Sequence, residues 1–410
     1  MIDYELSPDI AATREQLHML AEHAMRPIAR DYDEREHEKP WDFINMMWQL
    51  SKNSGIGPGR EKDKKEAKSA DSERNLRTCV AVEELSWGDA GLYLAMPGPG
   101  LGGAAVMAAG TPEQKERFLS RFKGEKPVWS AMAITEPGCG SDSAAIQTTA
   151  VRDGDNWVLN GTKIFCTSGL MAGDPAKSNG FIVVWATVDR SAGRAGIKSF
   201  IVNAGTPGMT VAKCEDKLGI RASDTATLIF EDCRIPFDHI LGSAEVPKTS
   251  EGFKGVMATF DATRPIVAAS ALGVGRAALD FVRDELKRQN IPIRYGIATH
   301  RLTVVERDFM DMEANLQAAR LLTWRAAWMM DRGQKNNLEA SMAKAKAGLV
   351  VTQVTQKAVE LLGPLGYSRD LLLEKWMRDA KINDIFEGTQ QINMMIIARR
   401  ILGYSSKELS

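Results

Sequence analysis

The spacing of apolar residues divides the chain into three blocks. In the first block, residues 1–127, apolar residues recur at helical spacing, as at Leu17, Leu20 and Ala24. In residues 128–243, short apolar stretches alternate with turn dipeptides, a pattern typical of strands. The helical period returns in residues 244–410. The pattern predicts an α+β protein with an N-terminal α-helical domain, a central β domain and a C-terminal four-helix-type bundle, divided at these boundaries.

The central block predicts an antiparallel sandwich or barrel. Asp153-Gly154-Asp155 and Asn160-Gly161 provide turn signals. The segments predicted as strands are 146–151, 157–159, 162–166, 181–188, 197–202, 209–212 and 226–230. Because no helical segments alternate with them, a parallel Rossmann sheet is the less suitable interpretation.

The C-terminal block predicts long helices that are apolar on more than one face. They are expected at roughly 253–289, 299–332, 337–362, 370–385 and 389–402. Their excess of apolar surface indicates a bundle that also makes oligomer contacts. In the first block, the charged segment from Arg60 to Arg74 predicts a solvated, mobile loop.

Composition and net charge limit the functions that are compatible with the chain. The 410-residue chain is 44% apolar and 26% charged, with a net charge of −1, so nothing indicates binding to nucleic acid or to an anionic membrane. We expect no apolar run long enough to span a bilayer. The polar, acidic N-terminal sequence is unlike a targeting peptide, so we expect a cytoplasmic protein. Five cysteines and five histidines show no metal-ligand spacing, and we expect no metal site.

The stretch from Trp376 to Gln391 contains the strongest candidate for chemistry. Gly388 can end a helix and Thr389 can cap the next one, which places Glu387 at a junction between helices. The positive end of the following helix favours the carboxylate, and burial against Phe386 disfavours it. Such a group is a candidate general base, although an acid at a helix junction is more often a solvated surface residue.

Three further stretches are candidates for ligand contacts. The glycine- and hydroxyl-rich loop 133–142 allows close approach to a cofactor or phosphate, but it matches neither a P-loop nor a dinucleotide fingerprint. Residues 165–169 end a strand with an aromatic ring and two hydroxyls. Arg264 is either a surface residue or the buried partner of an anion. No serine–histidine–acid or cysteine–histidine set is visible, which argues against nucleophilic hydrolysis.

Five motifs in this order resemble the acyl-CoA dehydrogenase family. They are AITEPGCGSD, NGTKIFCTSG, DKLGIRASDTATLIFEDCRIP, FDATRP and MRDAKINDIFEGTQQI. The resemblance implies an FAD flavoprotein that converts an acyl-CoA to the trans-2-enoyl-CoA and passes electrons to an electron-transfer flavoprotein. It also implies a homo-dimer or homo-tetramer assembled through the C-terminal helices.

The resemblance also assigns roles to individual residues. Glu387 would be the catalytic base, with Arg264 holding its carboxylate. Phe165 would pack on the flavin ring, and Thr167 would bond near its N5. The residues expected to bind the cofactor are Met132, Ile134, Thr135, Gly140, Ser141, Phe165, Thr167, Arg294, Glu360, Gly363, Thr389 and Gln391. The residues expected to bind the substrate are Ser141, Phe260, Asp261, Arg264 and Gly388.

Two stretches depart from the family's usual sequence. The motif Arg-Lys-Thr/Gln-Phe-Gly, which reaches a neighbouring subunit's FAD, appears here as residues 292–296, with Pro292 at the arginine position. Arg294 is expected to replace that cation. Glu360 stands where members carry glutamine. Prolines and small residues between Ala95 and Gly110 predict a wide acyl pocket that accepts long or bulky acyl groups.

Three other functions remain as alternatives. An acyl-CoA oxidase would reoxidise its flavin with dioxygen. A weakly FAD-binding subunit of a hetero-oligomeric dehydrogenase is compatible with the changes at Pro292 and Glu360. The DNA-binding branch of the same fold would need a basic face, which the net charge of −1 does not favour.

Overall fold

The first domain is helical, as its apolar spacing predicted. The computed structural model describes residues 5–53, 72–246, 254–404 and 408; the predicted loop 60–74 lies outside these ranges except for its last three residues. The helices are α1 Pro8–Leu20, α2 Ala29–Glu34, α3 Trp41–Asn53, α4 Arg74–Ala95, α5 Gly100–Ala109 and α6 Pro112–Leu119. Thr111 caps α6 in a reciprocal capping box with Gln114, and Pro112 occupies the first helical position.

The second domain is a seven-stranded sheet that is mostly antiparallel. Its strands are β1 Ser130–Ala133, β2 Thr149–Asp153, β3 Asn156–Thr167, β4 Phe181–Thr187, β5 Ile197–Asn203, β6 Met209–Cys214 and β7 Thr225–Pro236. The order is β1-β4-β2-β3-β7-β6, with β5 paired to β4. Unlike the expected all-antiparallel pattern, β4 pairs in parallel with β1 and β2. The parallel partners β1 and β4 are joined by a long connection that contains β2, β3 and the short helix α7, Gly169–Gly173.

One predicted turn in the sheet was wrong. Asn160-Gly161 does not separate two strands, because both residues lie inside the continuous strand β3. Gly161 has φ +150°, and a Cβ there would approach Thr148 Oγ1 to 2.5 Å. The glycine therefore permits close backbone packing at a register irregularity rather than a chain reversal.

The third domain is a helical bundle. Its helices are α8 Lys254–Arg288, α9 Val304–Asp331, α10 Asn337–Leu362, α11 Pro364–Tyr367, α12 Leu373–Ala380 and α13 Gln390–Leu402. The predicted helix 370–385 is shorter, since α12 ends at Ala380 and a 3₁₀ turn follows over Lys381–Asp384. Helices α8, α9 and α10 share the largest hydrophobic core with α4 of the first domain. The predicted helical–β–helical architecture is confirmed.

Helix α8 is the central helix of this core. Its segment Thr259–Arg288 is long and apolar enough to cross a membrane, so the expectation that no apolar run has this length was wrong. However, 72% of its apolar window is buried inside the protein, as expected of a core helix.

A buried charge cluster joins all three domains. Lys375 Nζ on α12 lies 2.5 Å from Asp89 Oδ2 on α4 and 2.6 Å from Asp379 Oδ2. Asp379 also accepts a hydrogen bond from the backbone N–H of Ile220, in the loop before β7. Burial alone would lower the pKa of Lys375, but the two carboxylates raise it above its usual value. The ammonium therefore stays charged and pairs with both acids at the domain junction, where burial raises the pKa of Asp379.

Replacing Lys375 with methionine should strongly destabilise the fold. Lys375→Met leaves two buried carboxylates without their cation, so the free energy of unfolding should fall by about 3–5 kcal/mol in urea denaturation. Lys123→Met, which removes the exposed partner of Glu116, is the matched control and should change it by no more than about 0.5 kcal/mol. Equal losses in the two variants would show that the cluster does not hold the domains together.

Candidate active site

A large cavity lies where the three domains meet. Its volume is about 2560 Å³, well above the roughly 300–1,000 Å³ of ordinary small-molecule pockets. The predicted site residues that line it are Met132, Ile134, Thr135, Gly140, Ser141, Phe165, Thr167, Phe260, Arg264, Glu387, Gly388 and Thr389. The fold therefore brings together residues from the sheet, from α8 and from the turn before α13, with room for a large ligand or for two ligands.

Glu387 lies in a left-handed turn at the edge of this cavity. Its φ is +56° and that of Gly388 is +90°. Thr389 then caps α13 by accepting a hydrogen bond from the Ile392 N–H at 3.3 Å, as the sequence predicted. A left-handed residue other than glycine costs on the order of 1–3 kcal/mol and persists where its surroundings enforce it. The turn thus holds the carboxylate in a position that a helix would not provide.

The groups around Glu387 shift the pKa of its carboxyl in opposite directions. Burial raises the pKa of its carboxyl above the usual value, and Thr263, Arg264 and Lys344 oppose that shift. Thr263 Oγ1 donates a hydrogen bond to Glu387 Oε2 at 2.9 Å. Sequence reasoning missed Thr263 and Lys344. Thr263 could have been found as the neighbour of Arg264 in FDATRP, whereas nothing in the sequence linked Lys344 on α10 to the turn.

Arg264 is a buried residue, not a surface one. Its side chain is 3% exposed, and its Nη1 donates a hydrogen bond to Asp261 Oδ1 at 2.8 Å. Burial lowers the pKa of Arg264, while the charges of Asp261 and Glu387 raise it. The buried Nε has no hydrogen-bond partner among the described residues.

A second buried ion pair anchors the glycine-rich loop on the sheet side. Lys163 Nζ lies 2.7 Å from Glu136 Oε1 and also donates to the Ile134 carbonyl at 3.0 Å. Glu136 accepts further bonds from Thr148. Burial would raise the pKa of Glu136, but its bonds to Lys163 and Thr148 lower it overall. The charged pair thus fixes the start of the loop whose later residues, Gly140 and Ser141, line the cavity.

Phe165 presents an aromatic face to the cavity. It has φ +56° beside a register irregularity of β3, and its side chain is 61% exposed although it lies in a concave wall. Ser168, three residues later, is also left-handed. An uncovered aromatic ring in a cavity offers a stacking surface for a planar group. Thr167 places a hydroxyl beside it.

The other predicted residues do not line the cavity within one chain. Arg294 is bound to Glu306 through Nε at 2.6 Å and Nη2 at 2.7 Å, and Glu306 is part of the capping box of α9. Glu360 is exposed and pairs with Lys357 at 2.8 Å. Asp261 acts through Arg264, Gly363 ends α10 with φ +53°, and Gln391 is exposed on α13. Contacts of Arg294, Glu360, Gly363 and Gln391 with a neighbouring subunit's cofactor stay predictions.

Two of the glycines expected to widen the acyl pocket, Gly102 and Gly103, are closely packed, whereas Gly98 lines the cavity and has open space where a Cβ would lie. Pro97 and Pro99 lie between α4 and α5, so they interrupt no helix interior. A Cβ on Gly102 would lie 2.6 Å from the Ala131 carbonyl oxygen, and one on Gly103 would lie 2.4 Å from Pro99 Cβ. These two glycines allow close approach instead of leaving space, and the volume argument was wrong for them.

Among the described residues, one group of potential metal ligands occurs, at Glu36, His37 and Asp216, of which Asp216 also lines the cavity. Glu36 already accepts a hydrogen bond from the Lys217 N–H at 2.8 Å and forms an ion pair with Arg221, whose Nε lies 2.9 Å from Glu36 Oε2. His37 lies 3.0 Å from Asp216. Because Glu36 is already neutralised by Arg221, the group carries no metal assignment, and the expected absence of a metal site stays a prediction.

Comparison with known proteins identifies the family. Residues 7–125, 131–233 and 250–402 match the N-terminal, middle and C-terminal domains of acyl-CoA dehydrogenases. The chain belongs to the acyl-CoA dehydrogenase family. It is 37% identical over 383 residues to the mitochondrial short-chain specific acyl-CoA dehydrogenase of Bos taurus, covering 93% of this chain and 87% of the relative.

Two solved structures extend the comparison over almost the whole chain. Butyryl-CoA dehydrogenase from Megasphaera elsdenii is 31% identical, with a TM-score of 0.83 and coverage of 98% of this chain and 100% of that one. A chain from a study of the electron transferring flavoprotein of Acidaminococcus fermentans is 33% identical, with a TM-score of 0.82 and the same coverage. The recognition of the family from its motifs is therefore confirmed.

Acyl-CoA dehydrogenases are FAD flavoproteins, and the cavity fits that cofactor. The uncovered ring of Phe165 suits a flavin ring, and the hydroxyls of Thr135, Ser141 and Thr167 suit its polar atoms and phosphates. The volume of about 2560 Å³ leaves room for an acyl-CoA beside it. The individual contacts assigned to these residues stay predictions.

Loosening the loop anchor should weaken FAD binding. Lys163→Met releases the Ile134 carbonyl and unpairs Glu136, so we expect the dissociation constant for FAD to rise at least about tenfold, a change of about 1.4 kcal/mol. The measurement is the flavin-to-protein absorbance ratio on dilution. Lys198→Met removes another buried lysine of the same sheet, which bonds the Ser243 and Glu245 carbonyls, and should retain FAD. Equal retention in the two variants would contradict the anchoring role.

Proposed function

We propose that this acyl-CoA dehydrogenase oxidises an acyl-CoA to the trans-2-enoyl-CoA with Glu387 as the base that removes the α-proton. The observation that carries this proposal is the position of the Glu387 carboxylate. It lines the shared cavity in a left-handed turn, next to Thr263 and the buried Arg264. A thioester α-hydrogen is a weak acid, so its removal needs a positioned carboxylate of raised basicity.

Burial and the nearby positive charges have opposite effects on the pKa of Glu387. Burial raises the pKa of the carboxyl, which makes it a stronger base, and the charges of Arg264 and Lys344 oppose that shift and favour the ionised form. The backbone N–H of Glu387 is proposed to donate to the thioester oxygen as negative charge develops there. Bound FAD supplies the hydride acceptor, N5 of its flavin ring, for the hydrogen on the β-carbon.

An electron-transfer flavoprotein is the proposed electron acceptor. The support is the family itself and the similarity to a chain from a study of the electron transferring flavoprotein of Acidaminococcus fermentans. Protein reduced anaerobically with acyl-CoA should reoxidise rapidly with an electron-transfer flavoprotein and slowly in air. Rapid reoxidation by dioxygen would instead indicate an acyl-CoA oxidase.

The proposed assembly is a homo-dimer or homo-tetramer formed through the C-terminal helices. Helix α13 exposes apolar side chains over most of its length, at Met394, Met395, Ile401 and Leu402. Such an apolar face on a soluble protein is typical of a contact between subunits.

Replacing the base should stop flavin reduction without removing the cofactor. Glu387→Gln keeps the size of the side chain and a hydrogen bond but removes its basicity. The rate of flavin bleaching by acyl-CoA in anaerobic stopped flow should fall roughly a hundredfold or more, with FAD retained. Glu231→Gln, at an exposed position of β7, is the control. Bleaching of Glu387→Gln at nearly the rate of the unsubstituted protein would remove Glu387 from the mechanism.

The preferred substrate is proposed to be a short-chain acyl-CoA. The support is the similarity to short-chain specific and butyryl-CoA dehydrogenases. We expect kcat/KM for butyryl-CoA to exceed that for octanoyl-CoA by at least about tenfold, because each methylene that does not fit the acyl pocket lowers kcat/KM. A profile that is highest for long or bulky acyl groups would support the wide pocket expected from the sequence.

A further inference from the structure

Lys344 is a buried cation that contacts no substrate atom in the proposed proton transfer. It lies on α10 with its side chain 1% exposed, and its Nζ donates a hydrogen bond to the Gly388 carbonyl oxygen at 2.6 Å. Burying an ammonium group is costly unless it is paired and hydrogen-bonded. A solvated lysine would need no explanation. The burial of Lys344 against Gly388, the residue next to the base, does need one.

The Gly388 carbonyl is held from two sides. Besides Lys344 Nζ on α10, Asn393 Nδ2 on α13 donates to the same oxygen at 2.8 Å. This carbonyl follows directly after the two left-handed residues Glu387 and Gly388. Fixing it fixes the orientation of the turn, because only two soft dihedrals per residue separate it from the Glu387 side chain.

The charges around the turn also connect Lys344 to the base. Glu387 is faced by Arg264 and Thr263 on α8 and by Lys344 on α10. Lys344 in turn is faced by Glu387, by Asp384 in the preceding 3₁₀ turn, and by Arg264. Burial lowers the pKa of Lys344 to about 8, against the attraction of the two carboxylates, so the ammonium is mostly charged at neutral pH. Arg264 is shared with Asp261, whereas Lys344 bonds the turn itself.

We propose that Lys344 is a positioning residue for Glu387: its ammonium group fixes the turn that carries the base and places a positive charge beside the carboxylate. This role rests on the proposed function of Glu387. The role has two parts, the geometry of the turn and the charge beside it. Different substitutions of Lys344 remove these two parts.

Two variants test these effects separately. Lys344→Met removes both the hydrogen bond and the charge, and Lys344→Gln keeps a donor for the Gly388 carbonyl without the charge. Lys346→Met is the matched control, since Lys346 lies on the same helix but bonds Asn315 at 2.7 Å instead. Thermal unfolding and FAD content establish that each variant is folded and loaded. If Lys344→Met does not fold, Lys344→Gln still tests the charge.

The first measurement is the pH dependence of flavin reduction by acyl-CoA. Loss of the neighbouring positive charge raises the pKa of Glu387, so the pH of half-maximal rate on the acid side should rise by about one unit in both variants. The limiting rate should fall roughly tenfold in Lys344→Met through misplacement of the carboxylate, and less in Lys344→Gln. Lys346→Met should match the unsubstituted protein in both quantities.

The second measurement does not depend on turnover. Infrared difference spectra against pH follow the carboxylic-acid C=O band that Glu387→Gln removes, and its midpoint should move upward by the same amount in both Lys344 variants. An unchanged midpoint in folded Lys344→Gln would overturn the proposal. Absence of flavin reduction in the unsubstituted protein would overturn the proposed function itself, and with it the role of Lys344, so the two failures are distinguishable.

Discussion

The site depends on the balance between burial and positive charge at one carboxylate. Removing Glu387 from water makes it a stronger base, but burial alone would also leave it protonated and unreactive. Thr263, Arg264 and Lys344 oppose burial with a hydrogen bond and two positive charges. The left-handed turn at Glu387 and Gly388 brings the carboxylate to where these groups converge, so a backbone conformation and an electrostatic environment are set by the same short segment.

The rest of the fold serves to hold this segment against a cavity. Helices α8 and α10, which carry the three groups around Glu387, are packed in the largest core of the protein. The cluster around Lys375 joins α12, which precedes the turn, to the other two domains. On the opposite side, Lys163 and Glu136 fix the loop that lines the cavity. Buried charge pairs thus hold both the segment before the turn and the loop on the opposite wall of the cavity.

Sequence reasoning succeeded where the determinants are local. The helical spacing and the Thr389 cap each depend on a few consecutive residues, and the structure has them. The helix predicted to end at Gly388 stops earlier, at Ala380, and Gly388 instead lies in the left-handed turn. Sequence reasoning failed where the local structure depends on a contact with a residue that is distant in the sequence. Asn160-Gly161 has the composition of a turn, but contact with Thr148 keeps Gly161 inside β3. Lys344 is separated from Glu387 by most of α10 and all of α12, and only the fold brings it to the Gly388 carbonyl.

The most direct test of this account is a crystal structure of the FAD-bound protein with a non-reactive thioether analogue of the acyl-CoA. The account predicts that Glu387 keeps its left-handed turn and places a carboxylate oxygen about 3–3.5 Å from the carbon that stands for the α-carbon, the distance of a reactive complex. A complex in which that carbon lies beyond the reach of Glu387, with another acid or base beside it, would contradict the assignment.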